Sequence, residues 1–172
     1  MKRLLLIAFV FVSVICPAQA LGNRYVSSIT NTGVMYFFRP IELDRLDNMH
    51  RFEYDITYIE NKDSVTINFT TSIDSFALVK NIIVTSQDTI VYRGSGICLY
   101  CDFSGTHYDV RTSFRLSYND FAKVFESLTP LTFCIHFSNN LKCTAAYSKS
   151  RWRKERSTIL RIIRPINNII YD

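Results

Sequence analysis

The chain is poor in the residues that break regular structure. Only 5 of its 172 residues are glycine and 4 are proline. That excludes a collagen-like or linker-like polymer. There is no low-complexity segment and no internal repeat, which excludes solenoid and propeller arrays. After the first twenty residues, no apolar run approaches the roughly 20 residues that a membrane-spanning helix needs. The chain contains no G-x-S-x-G, H-E-x-x-H, phosphate-binding loop or dinucleotide fingerprint, so the commonest sequence-legible catalytic classes are missing. No cofactor-binding or metal-binding pattern is complete.

What is present begins with residues 1–20. Lys2 and Arg3 precede an apolar run over 4–15 that only Ser13 interrupts, followed by Pro17 and Ala18-Gln19-Ala20. A basic start, a short apolar core and a small-x-small triplet are the three parts of an export signal. The expected cleavage follows Ala20 and leaves Leu21 first. The protein is then expected in the periplasm, the outer envelope or the extracellular space. A retained membrane anchor is disfavoured by the shortness of the run. Lipidation at Cys16 is disfavoured by Ile15, which stands where a lipid-attachment motif carries a small residue.

Hydrophobic residues make up 48% of the chain, with 13 Phe and 10 Tyr. This composition argues for one folded domain over residues 21–148 with a terminal segment, 149–172, packed on it. The charge is divided between these parts. The overall +5 includes seven basic residues in the tail (Lys149, Arg151, Arg153, Lys154, Arg156, Arg161 and Arg164) against Glu155 and Asp172. The body is mildly acidic. Such asymmetry points to an acidic partner or a membrane surface touched peripherally. It is not the patch-plus-motif pattern of a nucleic-acid binder.

Period-two alternation dominates the body. Residues 51–60 place Phe52, Tyr54, Ile56 and Tyr58 on one face. Residues 64–71 alternate through Val65, Ile67 and Phe69, and the polar triplet between the two runs predicts a hairpin. Further strands are expected over 34–39, closed by Pro40, and over 76–86, 89–93, 97–103 and 108–118. Residues 131–138 and 141–147 flank Asn139-Asn140, a second hairpin signal. Two helices are expected. Ser117 can cap one over 118–128, with Asp120 in its first turn and Phe121, Val124, Phe125 and Leu128 in one stripe. The other starts after Ser148 or Ser150, carries Trp152, Ile159, Ile163, Ile166 and Ile170 on one face, and should kink or end near Arg164 before Pro165. The expected fold is mainly β, with α+β the alternative class: an antiparallel β-sandwich or curled sheet with one internal and one C-terminal helix.

Four cysteines remain after the export signal. An even number in an exported chain makes Cys98, Cys101, Cys134 and Cys143 disulfide candidates. With Asn139-Asn140 as a two-residue turn, Cys134 and Cys143 share a face diagonally, at the edge of disulfide reach. Cys98 and Cys101 are three apart, so a regular strand points them to opposite faces. The Cys98-Leu99-Tyr100-Cys101 motif lies in a strand rather than at the helix start that activates a redox cysteine. A zinc site needs a second close pair, which Cys134 and Cys143 do not form.

His107 with Asp109, and Cys134 with His136, would each share a strand face and are candidate halves of a dyad. No local motif supports either. Asn68-Phe69-Thr70 matches a glycosylation sequon inside an expected strand. In the tail, Arg151, Trp152, Lys154 and Arg161 are the candidate partner-binding residues. The leading functional expectation is a non-catalytic exported domain, binding or structural. Its partner would be an envelope or extracellular protein, or a glycan or peptide held on aromatic-rich sheet surface. The alternative is a small exported hydrolase or thiol oxidoreductase.

Overall fold

A computed structural model describes residues 24–47, 50–60 and 62–171, with side chains described as far as Arg164. The segment read as an export signal lies outside the described residues. Eleven strands and two helices follow in order: β1 (Tyr25–Thr30), β2 (Gly33–Glu42), β3 (Asp44–Arg45), β4 (Arg51–Ile59), β5 (Ser64–Ile73), β6 (Val79–Ser86), β7 (Thr89–Gly94), β8 (Ile97–Phe103), β9 (Tyr108–Ser117), α1 (Tyr118–Glu126), β10 (Leu131–Phe137), β11 (Lys142–Ala146) and α2 (Lys149–Tyr171).

The strands form two antiparallel sheets. One has the order β1-β2-β4-β5-β9-β8, the other β3-β11-β10-β6-β7. This is the expected mainly-β sandwich with two helices. Alternation decides which side of each strand is buried. Phe52, Tyr54, Ile56 and Tyr58 of β4 line the core, as do Val65, Ile67 and Phe69 of β5. Phe133 and Ile135 of β10 face them from the second sheet. The many rings therefore fill the interior. Among the described residues the exposed ones are Phe76, Tyr100 and Phe103.

Several boundaries differ from the sequence reading, each for a local reason. Pro40 does not close β2: the pairing with β4 slips between Phe38 and Ile41, and a bulge is where a strand tolerates proline. Ser117 caps α1 by accepting from the Asp120 amide, as expected, but α1 stops at Glu126. Leu128 leaves the apolar stripe and is 83% exposed. Pro130 disfavours helix at Thr129, and the Ser127 carbonyl is instead taken by the Trp152 indole N–H at 3.0 Å. α2 runs past Pro165 to Tyr171. A proline removes its own amide from the helical ladder and crowds the carbonyl four residues earlier, which weakens the helix without forbidding its continuation. Ile166 and Ile170 lie beyond the described side chains.

The β10–β11 hairpin carries the most consequential difference. Its turn holds three residues, 138–140, not two. The Asn140 amide donates to the Phe137 carbonyl at 3.2 Å, and the Phe137 amide to the Leu141 carbonyl at 2.9 Å. Asn140 sits in the left-handed region at φ 64°, the arrangement of a type I turn closed by a left-handed residue. One extra turn residue shifts the register by one and moves β11 to the other face. Cys134 therefore lies opposite Thr144, and Cys143 opposite Ile135. Cys143 points into the core and Cys134 points out.

Trp152 joins the helices to the sandwich. It is 1% exposed, with its ring 5.8 Å from Phe125 of α1 and 5.1 Å from Tyr147 after β11. Trp152→Ala should lower stability by about 3–5 kcal/mol. Because this is the only tryptophan, the loss is best measured by urea unfolding followed by circular dichroism.

Candidate functional site

The loops at one end of the sandwich bring together residues far apart in sequence. Asp109 lies on the outer face of β9, directly opposite Ser72 of β5, whose hydroxyl donates to its carboxylate. Two residues earlier, His107 leaves the β8–β9 turn with Nε2 3.6 Å from Asp109 Oδ1. Its Nδ1 is 3.0 Å from the Thr106 hydroxyl. The alternation that paired His107 with Asp109 in sequence holds in space.

A second imidazole joins them. The His50 ring stacks on His107 with centroids 5.0 Å apart. Its Nε2 lies 2.8 Å from Asp74 Oδ1. His50 precedes β4, and its backbone is tied down by the Arg45 guanidinium and by the Ser72 carbonyl. Sequence reasoning missed His50, Ser72 and Asp74, because 22 or more residues separate each from its partners in this cluster and no short motif spans such distances. Beside the cluster is a cleft of about 430 Å³ lined by Asp47, Ser72, Asp74, Ser75, Lys142 and Cys143, among others.

The chemistry of this cluster is limited. Two imidazoles, each with a carboxylate neighbour, can accept or deliver protons. A nucleophile relay would need a hydroxyl bonded to an imidazole that is in turn oriented by a carboxylate. Here Ser72 bonds the carboxylate instead, which orients Asp109 and leaves the serine unactivated. No group of three or more His, Cys, Asp or Glu is arranged to hold a metal ion among the described residues.

Cys134 and His136 do share the outer face of the second sheet. However, Cys134 Sγ accepts from the Thr144 hydroxyl at 3.7 Å, and His136 lies opposite Lys142 and Asn81. Burial, then Lys142 and Arg93, holds the His136 imidazole below its ordinary range. Neither residue activates the other.

All four described cysteines are free thiols. The diagonal pairing expected of Cys134 and Cys143 is removed by the three-residue turn, which sends them to opposite faces. Burial raises the Cys98 and Cys101 thiols above their ordinary value, so the C-x-x-C lacks the stabilised thiolate of a redox enzyme.

In the tail, Trp152 is a core residue, 1% exposed. Arg151 reaches Asp44 at 3.5 Å, while Lys154 and Arg161 are exposed. The buried Glu155 is bridged by Arg24 at 3.0 Å. Arg164 pairs with Glu126, and the Arg156 guanidinium donates to the Glu126 carbonyl at 2.9 Å.

Burial pushes the Cys143 thiol from 9.0 up to about 12. An acid whose folded pKa is raised stays protonated in the fold while the unfolded chain ionises. Stability is therefore intact below pH 9 and falls as pH rises from 9 towards 12. At pH 10 this one thiol should cost about 1.4 kcal/mol. The expected result is a smaller loss between pH 8 and pH 10 for Cys143→Ala than for the parent, read by urea unfolding. In the folded parent, Cys143 should also resist alkylation until denaturant is added.

Comparison of the chain with protein-family models, with curated proteins and with solved structures returns no significant match, so its function rests on the geometry of its own residues.

Proposed function

We propose that the chain is an exported, non-catalytic binding domain that rests against an anionic lipid surface through α2. The observation that carries this reading is the exposed arc of that helix. At 100° per residue, Lys149, Ser150, Arg153, Lys154, Ser157, Arg161 and Arg164 fall within one sector of about 140°, and all seven are exposed. The arc holds no acid, and its one apolar residue between Lys149 and Arg164, Leu160, is buried. Arg24, Arg151 and Arg164 are used in ion pairs that fasten the helix down. Lys149, Arg153, Lys154 and Arg161 have no ion-pair partner among the described residues.

The composition of the arc favours lipid headgroups over a protein or a glycan. Protein hot spots need aromatic or apolar anchors in desolvated pockets, and this arc supplies none. Ile159, Leu160, Ile162 and Ile163 are buried against the body, so these four residues are not available to sink into a bilayer. What is left is a row of cations about 22 Å long, by the rise of a helix, which a layer of anionic headgroups satisfies without shape matching.

Each basic residue near such a surface contributes about 1 kcal/mol. Four unpaired cations should then favour anionic over neutral vesicles by roughly 1,000-fold at low salt, falling as ionic strength rises. The check is co-sedimentation with phosphatidylglycerol-containing and pure phosphatidylcholine vesicles. Replacing Lys149, Arg153, Lys154 and Arg161 by Glu should abolish the difference while leaving the circular dichroism unchanged. Equal binding to both vesicle types by the parent chain would sink the proposal.

A second reading, a small exported hydrolase, is favoured by one observation, the stacked His50 and His107 beside the cleft. It expects His50→Ala and His107→Ala each to abolish turnover of a hydrolysable substrate while the fold is retained. A panel of ester, phosphoester and glycoside chromogenic substrates on which parent and variants behave alike would exclude it.

A further inference from the structure

β8 pairs with β9 in a register that slips once. Ile97 and Cys98 oppose Ser113 and Thr112, whereas Tyr100 and Cys101 oppose Arg111 and Val110. Leu99 is the extra residue, a β-bulge. Directly paired residues share a face, and both Thr112 and Val110 are buried in the sandwich. Cys98 and Cys101 therefore both point inwards, two ladder positions apart, and both pack against the core. The flanking Leu99, Tyr100, Asp102 and Phe103 are exposed.

From this arrangement we propose that Cys98 and Cys101 form a two-coordinate thiolate site for a soft monovalent cation, with Cu(I) as the matching ion. The proposal is independent of the cationic face of α2.

Spacing favours an ion over a disulfide. Two ladder positions are about 7 Å apart along a strand. A disulfide needs its Cβ atoms within about 4.5 Å, and both thiols are free. An ion with metal–sulfur bonds of about 2.3 Å spans about 4.6 Å between sulfurs, so binding would draw the thiols together and away from their present hydrogen bonds, Cys98 to the Tyr100 carbonyl at 3.3 Å and Cys101 to the Ala77 backbone. The donor set favours a soft, low-coordinate ion. Two sulfurs without a third ligand cannot complete the tetrahedron that zinc takes, whereas thiolates select Cu(I).

A separate observation marks a polar patch beside the thiols. Thr112 lies directly opposite Cys98, and Thr71 lies in the same ladder row as Val110 and Cys101. Both threonines are 1% exposed, and both hydroxyls lack a hydrogen-bond partner. Orphaned buried oxygens on one patch mark a polar spot of the kind an unplaced water fills; they are not Cu(I) ligands, and the two thiolates alone hold the ion. β8 is a sheet edge, and a Cβ at Gly96 just before it would stand 2.5 Å from Thr112 Cγ2, so only glycine allows this close approach to β9.

Binding is a ligand exchange without electron transfer. Two thiols release two protons, two sulfur–copper bonds form, and copper remains Cu(I), giving a bis-thiolate complex of charge −1.

The test is an anaerobic titration of the reduced chain with Cu(I) against bicinchoninate. One equivalent should be withdrawn from the chromophore. Cys98→Ser and Cys101→Ser should each weaken binding by roughly 100-fold or more, while Cys134→Ser leaves it unchanged. Should the serine variants fail to fold, protection of the parent from iodoacetamide provides the second measurement. Cu(I) should shield Cys98 and Cys101, but not Cys134, in a peptide mass map. Failure of the parent to compete with bicinchoninate would overturn the proposal, as would undiminished binding by folded Cys98→Ser or Cys101→Ser. A parent that purifies with Cys98 and Cys101 already joined, two hydrogens lighter and inert to Cu(I), would equally overturn it.

Discussion

The structure depends on one buried contact between hydroxyls. Tyr54 of β4 and Tyr147 after β11 share a hydrogen bond through their phenol oxygens, with Tyr54 0% and Tyr147 5% exposed. Two phenols taken out of water must find partners, and here each finds the other across the two sheets. Burial raises both phenols above their ordinary range. Around them pack Phe69 of β5, Phe133 of β10, Phe125 of α1 and Trp152 of α2, with each ring near one of the two tyrosines. Both sheets and both helices meet in this cluster.

The same cluster fixes the placement of α2. Trp152 and Glu155 hold the start of the helix in place, one by packing and the other by its bridge to Arg24. With Ile159 and Ile163 buried on the same side, the helix has only one orientation. The opposite arc then has to face outwards, with the cations of the tail displayed as a row. The same orientation turns Trp152, Ile159 and Ile163 of the apolar stripe into the body.

The two cysteine pairs show how one residue changes chemistry. Leu99, bulged out of the β8–β9 ladder, turns two cysteines that should point apart into neighbours on one face. Asn140, in its left-handed conformation, does the reverse for Cys134 and Cys143. Much of the fold was legible without coordinates: the inner faces of β4 and β5, the cap of α1 at Ser117, the antiparallel hairpins and the separately charged tail. His107 with Asp109 was legible too, because period two places residues i and i+2 together. His50, Asp74 and Ser72 were not, since their meeting depends on how three loops converge at one end of the sandwich.

The sequence by itself determined the period of each element, the aromatic content of the core and the concentration of positive charge after residue 148. These are local properties, set by which side chains alternate and where charges cluster. Tertiary structure decided which face each cysteine takes, which helix residues are left for solvent, and which imidazoles meet. The physical reason is that a strand repeats every two residues. One extra residue in a turn or a ladder inverts a whole face, and that slip is chosen by how the sheets pack together rather than by the polar residues where it occurs.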